Sequence, residues 1–125
     1  MAAIKRFEDI EAWKLARSLT AKIYKLAKTG EFSRDYGFRD QICRAAVSIT
    51  SNIAEGFERR TDKALQQFLA IAKGSAGEVR SQLYVALDLG YITKEQFQEA
   101  YQDTLDVAKM LSGLIDYLVS SQSRK

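Results

Sequence analysis

The stretch SITSNIAEGFERR, residues 48–60, combines two apolar sides and a polar strip in one helical pattern. Ile49 and Ile53 fall on one face at helical spacing, and Thr50 and Ala54 fall roughly opposite them. The polar strip between the two sides holds Ser48, Asn52 and Glu55. A helix that is apolar on two sides is usually buried on two sides. The stretch therefore predicts a bundle helix that also meets a second subunit.

On either side of this stretch, the chain divides into amphipathic segments. The predicted helices are residues 9–28, 36–57, 62–89 and 94–120. Their apolar residues recur three and four positions apart, the loops between them are short, and no segment alternates like a strand. The pattern predicts an all-α, up-down-up-down four-helix bundle in a single domain, residues 1–125, that assembles into a homo-oligomer.

Local signals predict where these helices begin and end. Asp35 is the expected N-cap of the second helix, and Gly30 and Gly90 are expected to stop the first and third helices. Thr93, followed three residues later by Gln96, has the spacing of a capping box for the fourth helix.

Two glycines, Gly74 and Gly77, flank Ser75 in the middle of the third predicted helix. Each costs roughly 1 kcal/mol relative to Ala in a helix interior. That cost is most easily offset where another backbone approaches closely, so we expect a close approach here.

The composition argues against catalysis. None of the 125 residues is His, which removes the commonest general base and nearly every transition-metal site. We therefore predict no catalytic residue, no metal and no cofactor, and a protein that is not an enzyme.

The sequence also predicts a cytoplasmic protein. The single Cys43 cannot form an internal disulfide, which is typical of a reducing compartment. The longest apolar runs fall short of the ~18 residues that span a bilayer, and the N-terminus lacks the apolar segment of a secretion signal. No membrane contact and no small-molecule substrate are expected.

Positive charge is concentrated at the start of the chain. Residues 1–30 carry seven Lys or Arg and three Asp or Glu, whereas the other 95 residues carry twelve and thirteen. The face opposite the apolar stripe of the first helix holds Lys14, Arg17, Lys25 and Lys28, flanked by Lys22, Trp13 and Tyr24. Several surface cations suit phosphate neutralisation, and adjacent aromatic rings suit stacking on unpaired bases. The sequence therefore predicts a nucleic-acid contact.

Two alternatives to a nucleic-acid contact stay open for these cations. They could form a solvated helix face, which is what a charge run usually is. They could also meet the acidic outer side of the fourth helix across a subunit boundary.

Four polar residues of the second and third helices are predicted to form a buried network or a subunit contact: Arg44, Asn52, Glu55 and Glu78. Buried polar groups need partners. Inward carboxylates in a bundle also suggest a di-iron centre, but that motif requires His. A glycosidase-type pair of carboxylates would need a cleft that short loops do not offer. The structural interpretation is therefore preferred.

The patterns AAVSI.SNIAEG, from residue 45, and FL.IAKGS..E, from residue 68, are the most specific parts of a wider resemblance. The chain resembles the four-helix-bundle proteins named after intervening sequences in bacterial 23S ribosomal RNA genes. The resemblance extends over nearly the whole chain and is weaker in the fourth helix. It implies a cytosolic bacterial bundle that assembles into a ring, typically a homopentamer.

A related branch of that family, the accessory proteins of diversity-generating retroelements, implies a basic pentamer that binds nucleic acid and a reverse transcriptase. Two positions depart from the family pattern. Thr50 stands where the family often has Pro, and Cys43 stands where it often has a second basic residue. The second helix is therefore expected to be straighter than in the family, and position 43 lacks the positive charge that the family often has there.

Together the residues and the resemblance predict a non-enzymatic homo-oligomer, pentameric by resemblance, that binds RNA, other nucleic acid or nucleoprotein through the first helix. The alternative is a protein–protein scaffold or adaptor subunit without a nucleic-acid role.

Overall fold

The computed structural model of the chain describes residues 4–123, apart from the side chains of residues 122 and 123. Four helices account for most of this part: α1 Glu11–Ala27, α2 Tyr36–Glu58, α3 Asp62–Asp88 and α4 Lys94–Ser123. Two short 3-10 helices, Phe7–Asp9 and Gly30–Arg34, precede α1 and α2. No strand occurs between residues 4 and 123. The chain is all-α, as the periodicity predicts, and the two 3-10 helices are elements that the periodicity does not predict.

The N-termini of α2, α3 and α4 are held by side-chain caps. Asp35 accepts a hydrogen bond from the Phe38 amide at 3.3 Å, and Thr61 accepts one from the Ala64 amide at 3.1 Å. At α4 the Thr93 hydroxyl accepts from the Gln96 amide at 3.1 Å, while the Gln96 side chain accepts from the Thr93 amide at 2.9 Å. The predicted capping box is confirmed, because both of its reciprocal bonds are present.

Two glycines between helices adopt the left-handed backbone region that favours glycine. Gly30 has φ 57° and Gly90 has φ 74°. After α3 the Tyr91 amide donates to the Ala86 carbonyl at 2.9 Å and the Gly90 amide donates to the Leu87 carbonyl at 3.0 Å. This pair of bonds is a Schellman motif, so the predicted stop at Gly90 is confirmed. The predicted stop at Gly30 is wrong, because α1 ends at Ala27 with Lys28 as its C-cap and Gly30 begins the following 3-10 helix.

Each helix packs antiparallel to its neighbours in sequence, and α1 also packs against α4. Ser48, midway along α2, meets Ser75, midway along α3. Lys22 near the end of α1 meets Glu99 near the start of α4. The buried core draws on all four helices and includes Leu19, Ile23, Ile42, Ile49, Leu69, Leu83, Val107 and Leu111. The arrangement is an up-down-up-down bundle.

Two helices approach each other closely at Gly56. A Cβ atom placed there would lie 2.6 Å from Cβ of Phe68 and 3.4 Å from Cα of Leu65, so α2 and α3 touch through the glycine. By contrast, nothing lies within 4 Å of a Cβ placed at Gly74 or Gly77. The expectation of a close backbone approach at Gly74 and Gly77 is therefore wrong within the chain, because both glycines lie away from the α2–α3 contact.

An aromatic cluster closes the end of the bundle near the α1–α2 connection. Phe32 of the 3-10 helix is buried and stacks on Tyr91, with ring centroids 5.3 Å apart. The Tyr91 hydroxyl donates to Asp35 at 2.7 Å, and this hydrogen bond comes first among the causes that raise the pKa of Tyr91. The cluster fixes the entry to α2 and, with it, the position of the first turns of that helix.

Candidate nucleic-acid interface

The outer face of α1 carries four exposed cations, which we call the basic face: Lys14, Arg17, Lys25 and Lys28. They share this face because they recur at helical spacing opposite the buried residues of α1. Lys14 pairs with the exposed Glu11 at 3.4 Å, and the Arg17 guanidinium lies 5.7 Å from the ring centre of Trp13. Among the described residues no ion pair reaches Lys25 or Lys28. The face therefore has more positive charge than its own neighbours neutralise.

Lys22, also predicted as a binding residue, lies on a different side of α1. Its ammonium is 2.7 Å from Asp103 and 2.9 Å from Glu99, both on α4. Its side chain is 27% exposed, and that of Asp103 is 17% exposed. Within the part of the chain that the structure describes, Lys22 is the only one of these lysines that contacts the acidic residues of α4, and a contact of the others with α4 across a subunit boundary stays an open alternative. Lys22 is better described as a residue that joins α1 to α4.

Electrostatics agree with this assignment of Lys22. Burial by itself lowers the pKa of the Lys22 ammonium, but the hydrogen bonds to Asp103 and Glu99 and their negative charges raise it. The net effect is a pKa above the ordinary value of 10.5. The lysine is therefore charged at neutral pH, and its charge is already matched by two carboxylates.

A pocket of about 570 Å³ lies between the last turns of α1 and the first turns of α2. Lys28 of the basic face lines it together with two arginines of α2, Arg39 and Arg44. The helical periodicity does not connect Arg39 with α1, and Arg44 is predicted to belong to a buried polar network or a subunit contact. The sequence gives little indication that these arginines lie beside Lys28, because only the 3-10 helix Gly30–Arg34 brings the start of α2 back toward the end of α1.

Cys43 forms part of the same pocket. The thiol is buried, and burial is the main cause that raises its pKa, while Arg39 acts in the opposite direction. A raised pKa keeps the thiol neutral near pH 7, so Cys43 contributes a small apolar surface to the pocket.

A network of three side chains links α2 and α3, but its members differ from those predicted. Asn52 donates to the Ser48 carbonyl at 2.8 Å and to the Ser48 hydroxyl at 2.9 Å. The Ser48 hydroxyl in turn lies 2.9 Å from the hydroxyl of the buried Ser75. The network therefore contains Asn52, as predicted, but its other members are serines.

The remaining predicted members lie elsewhere. Glu55 pairs with Arg59 one turn along α2 at 2.7 Å, on the surface. Arg44 and Glu78 are exposed, and among the described residues no hydrogen bond joins either of them to Asn52 or Glu55. The predicted mutual network within the chain is therefore wrong, because short serines reach across the α2–α3 contact where the longer side chains point outward. A role in a subunit contact stays a prediction.

Neither a metal site nor a membrane span is found in the part of the chain that the structure describes. No three His, Cys, Asp or Glu side chains there come together in a way that could hold a metal ion. No helix there is long and apolar enough to cross a bilayer.

These features define a class of protein: an all-α, four-helix chain whose first helix turns a basic face outward. The chain belongs to the 23S rRNA-intervening sequence protein family, whose model matches residues 8–113. The resemblance seen in the sequence is thereby confirmed.

A solved structure supports the fold. It is a crystal structure of a protein of unknown function from the S23 ribosomal protein family of Bacteroides thetaiotaomicron. The two chains are 24% identical, and the match covers 83% of this chain and 97% of that one with a TM-score of 0.76. No curated protein is a significant match to the sequence.

Proposed function

We propose that this protein is a non-enzymatic, cytoplasmic homo-oligomer, pentameric as its family resemblance implies, that binds RNA or other nucleic acid through the basic face of α1. The observation that carries the proposal is the charge of that face. Lys14, Arg17, Lys25 and Lys28 all point outward, and among the described side chains the one carboxylate paired with them is the exposed Glu11. An exposed pair of this kind is worth little, so the face keeps most of its attraction for phosphate.

The geometry favours binding to the backbone over reading of sequence. Lysines on one helix face supply point charges for phosphates and carry no base information. Trp13 and Tyr24 border the face and offer rings for unpaired bases. One copy would bind weakly, but an oligomer repeats the face in each subunit and gains by avidity.

The test is RNA binding measured by fluorescence anisotropy over a range of salt concentrations. With about four phosphates neutralised per subunit, log affinity should fall against log salt with a slope of about −3 for a single strand. Lys14→Glu combined with Lys25→Glu should abolish binding and leave the oligomer intact.

The matched control is Lys94→Glu combined with Lys109→Glu, which makes the same charge change at exposed positions on α4. Equal loss of binding in both double variants would show that only net charge matters and would contradict a site on α1. Absence of any retained nucleic acid at low salt would overturn the proposal. Sequencing the nucleic acid that copurifies with the intact oligomer would identify the target.

The second candidate is a scaffold or adaptor subunit whose partner is another protein. The ion pairs from Lys22 to Glu99 and Asp103 favour it, because they show α1 charge used for helix packing. Under this alternative, the Lys14→Glu and Lys25→Glu double variant would lose its oligomeric state, which light scattering detects.

A further inference from the structure

The pocket between the end of α1 and the start of α2 has two different walls. Tyr24 and Lys28 line it from α1, while Arg39 and Arg44 line it from α2. Its volume of about 570 Å³ falls in the range of pockets that hold small ligands. An aromatic ring and several cations therefore face one ligand-sized space.

The charges in this pocket are unequal. The lining residues include three cations and one carboxylate, Asp40, which lies 3.5 Å from the Arg39 guanidinium. Between residues 4 and 121 no ion pair involves Lys28 or Arg44. The pocket therefore has a net positive charge that favours an anion.

Arg39 is fixed before any ligand binds. Its guanidinium donates to the Ser33 carbonyl at 2.9 Å and lies 4.8 Å from the ring centre of Tyr36. Because the Arg39 guanidinium is already held in one position, this side chain loses little conformational entropy when a ligand binds against it. Lys28 and Arg44 remain free to meet a phosphate.

We propose that this pocket binds one nucleotide unit, with its phosphate held by Lys28 and Arg44 and its base against the Tyr24 ring. The phosphate suits the two unpaired cations, and the base suits an aromatic ring that is 42% exposed. The inference deepens the proposed function and rests on it, because Lys28 belongs to both the basic face and the pocket. A single strand that follows the basic face can turn one unpaired base into the pocket, whereas a duplex cannot.

The first experiment measures affinity for a ten-nucleotide single-stranded RNA and for a duplex of the same length. Arg44→Gln should lower single-strand affinity about tenfold through loss of a charge-assisted phosphate contact. Tyr24→Ala should lower it by a similar factor through lost stacking and leave duplex affinity unchanged. The matched control is Arg60→Gln, which removes the same charge at the opposite end of the bundle.

A second experiment separates a nucleotide within a strand from a free nucleotide. Adenosine monophosphate is titrated into the isotope-labelled protein, and the amide resonances of Tyr24, Ser33 and Cys43 are followed by NMR. Resonance shifts that occur in the wild type and disappear in Arg44→Gln would support the pocket as a site for a free nucleotide. If the same protein also binds no RNA, the proposed function is refuted while the pocket stands.

A different result would overturn the nucleotide pocket without affecting the proposed RNA binding through the basic face. RNA binding that depends on Lys14 and Lys25 but not on Arg44 or Tyr24 would overturn the nucleotide pocket and leave the proposed function standing. No response to either probe would overturn both.

Discussion

At the scale of single residues, Gly56 controls how closely α2 and α3 pack. A methyl group there would lie 2.6 Å from Cβ of Phe68, and neither atom sits at the end of a flexible side chain. We expect Gly56→Ala to lower the free energy of unfolding by about 1–3 kcal/mol, the usual cost of overpacking. Urea unfolding followed by circular dichroism measures the change.

The matched control is Gly113→Ala in α4, because the same methyl group meets nothing within 4 Å there. Replacing a helix-interior glycine by alanine at an open site should stabilise the chain by up to about 1 kcal/mol. If Gly56→Ala and Gly113→Ala shift stability in the same direction, the close approach at Gly56 is not the controlling feature.

Arg60 is strained by its place in the α2–α3 turn. Its φ of 69° lies in the left-handed region, where a residue with a Cβ costs about 1–2 kcal/mol. We expect Arg60→Gly to stabilise the protein by about 1 kcal/mol or less, since glycine relieves the strain but gives up more chain entropy. Arg60→Ala keeps the strain, so a gain in thermal stability from alanine as large as that from glycine would contradict strain as the cause.

At the scale of elements, Lys22 joins α1 to α4. We expect Lys22→Gln to cost about 1–2 kcal/mol, because Asp103 and Glu99 would then face each other without a cation. Lys25→Gln, three residues further along the same helix and fully outward, should stay within about 0.5 kcal/mol of the wild type. Equal effects in the unfolding free energies of the two variants would show that the ion pairs contribute nothing to the α1–α4 contact.

The raised pKa of Lys22 gives this contact a pH dependence. A folded pKa above the unfolded value means that the stabilisation is complete below about pH 10.5 and is lost as pH rises through the folded pKa. The stability difference between wild type and Lys22→Gln should therefore be constant at neutral and mildly alkaline pH and shrink as the pH rises above about 10.5. A difference that stays constant in urea unfolding as the pH rises above about 10.5 would contradict the assigned cause.

The helix ends and the partners of Lys22 show how far the sequence predicts this fold. Asp35, Gly90 and the Thr93–Gln96 pair act on backbone within a few residues, so local sequence predicts them. Lys22 falls beside the basic face in a helical projection, but whether it faces solvent or α4 depends on which helix packs alongside.

In the candidate site too, local sequence predicts what lies on one helix but not which residues meet from different helices. The four cations of the basic face share one helix, and periodicity places them together. Arg39 and Arg44 join Lys28 only because a 3-10 helix folds the connection back, and no periodic signal marks that turn. Ser48 and Ser75 were missed as partners for a related reason, because the antiparallel register of α2 and α3 decides which residues meet.

At the scale of the whole molecule, we predict that the contact between subunits lies on the outer face of α3. Ile71, Val85 and Leu89 are 52%, 42% and 51% exposed, and Gly74 lies open on the same face. Large apolar side chains at helical spacing on an exposed face favour burial against another copy. Light scattering should give a mass about five times the 14.1 kDa of one chain.

The subunit contact itself is tested by Ile71→Glu combined with Val85→Glu, which should reduce the mass to that of one chain while circular dichroism still shows a helical fold. The matched pair is Met110→Glu with Tyr117→Glu on α4, where the side chains are 40% and 51% exposed. If the α4 pair dissociates the oligomer and the α3 pair does not, the contact lies on α4. A wild-type mass of 14.1 kDa would refute the two-sided burial of α2 and α3. It would also remove the avidity on which RNA binding by a single basic face depends.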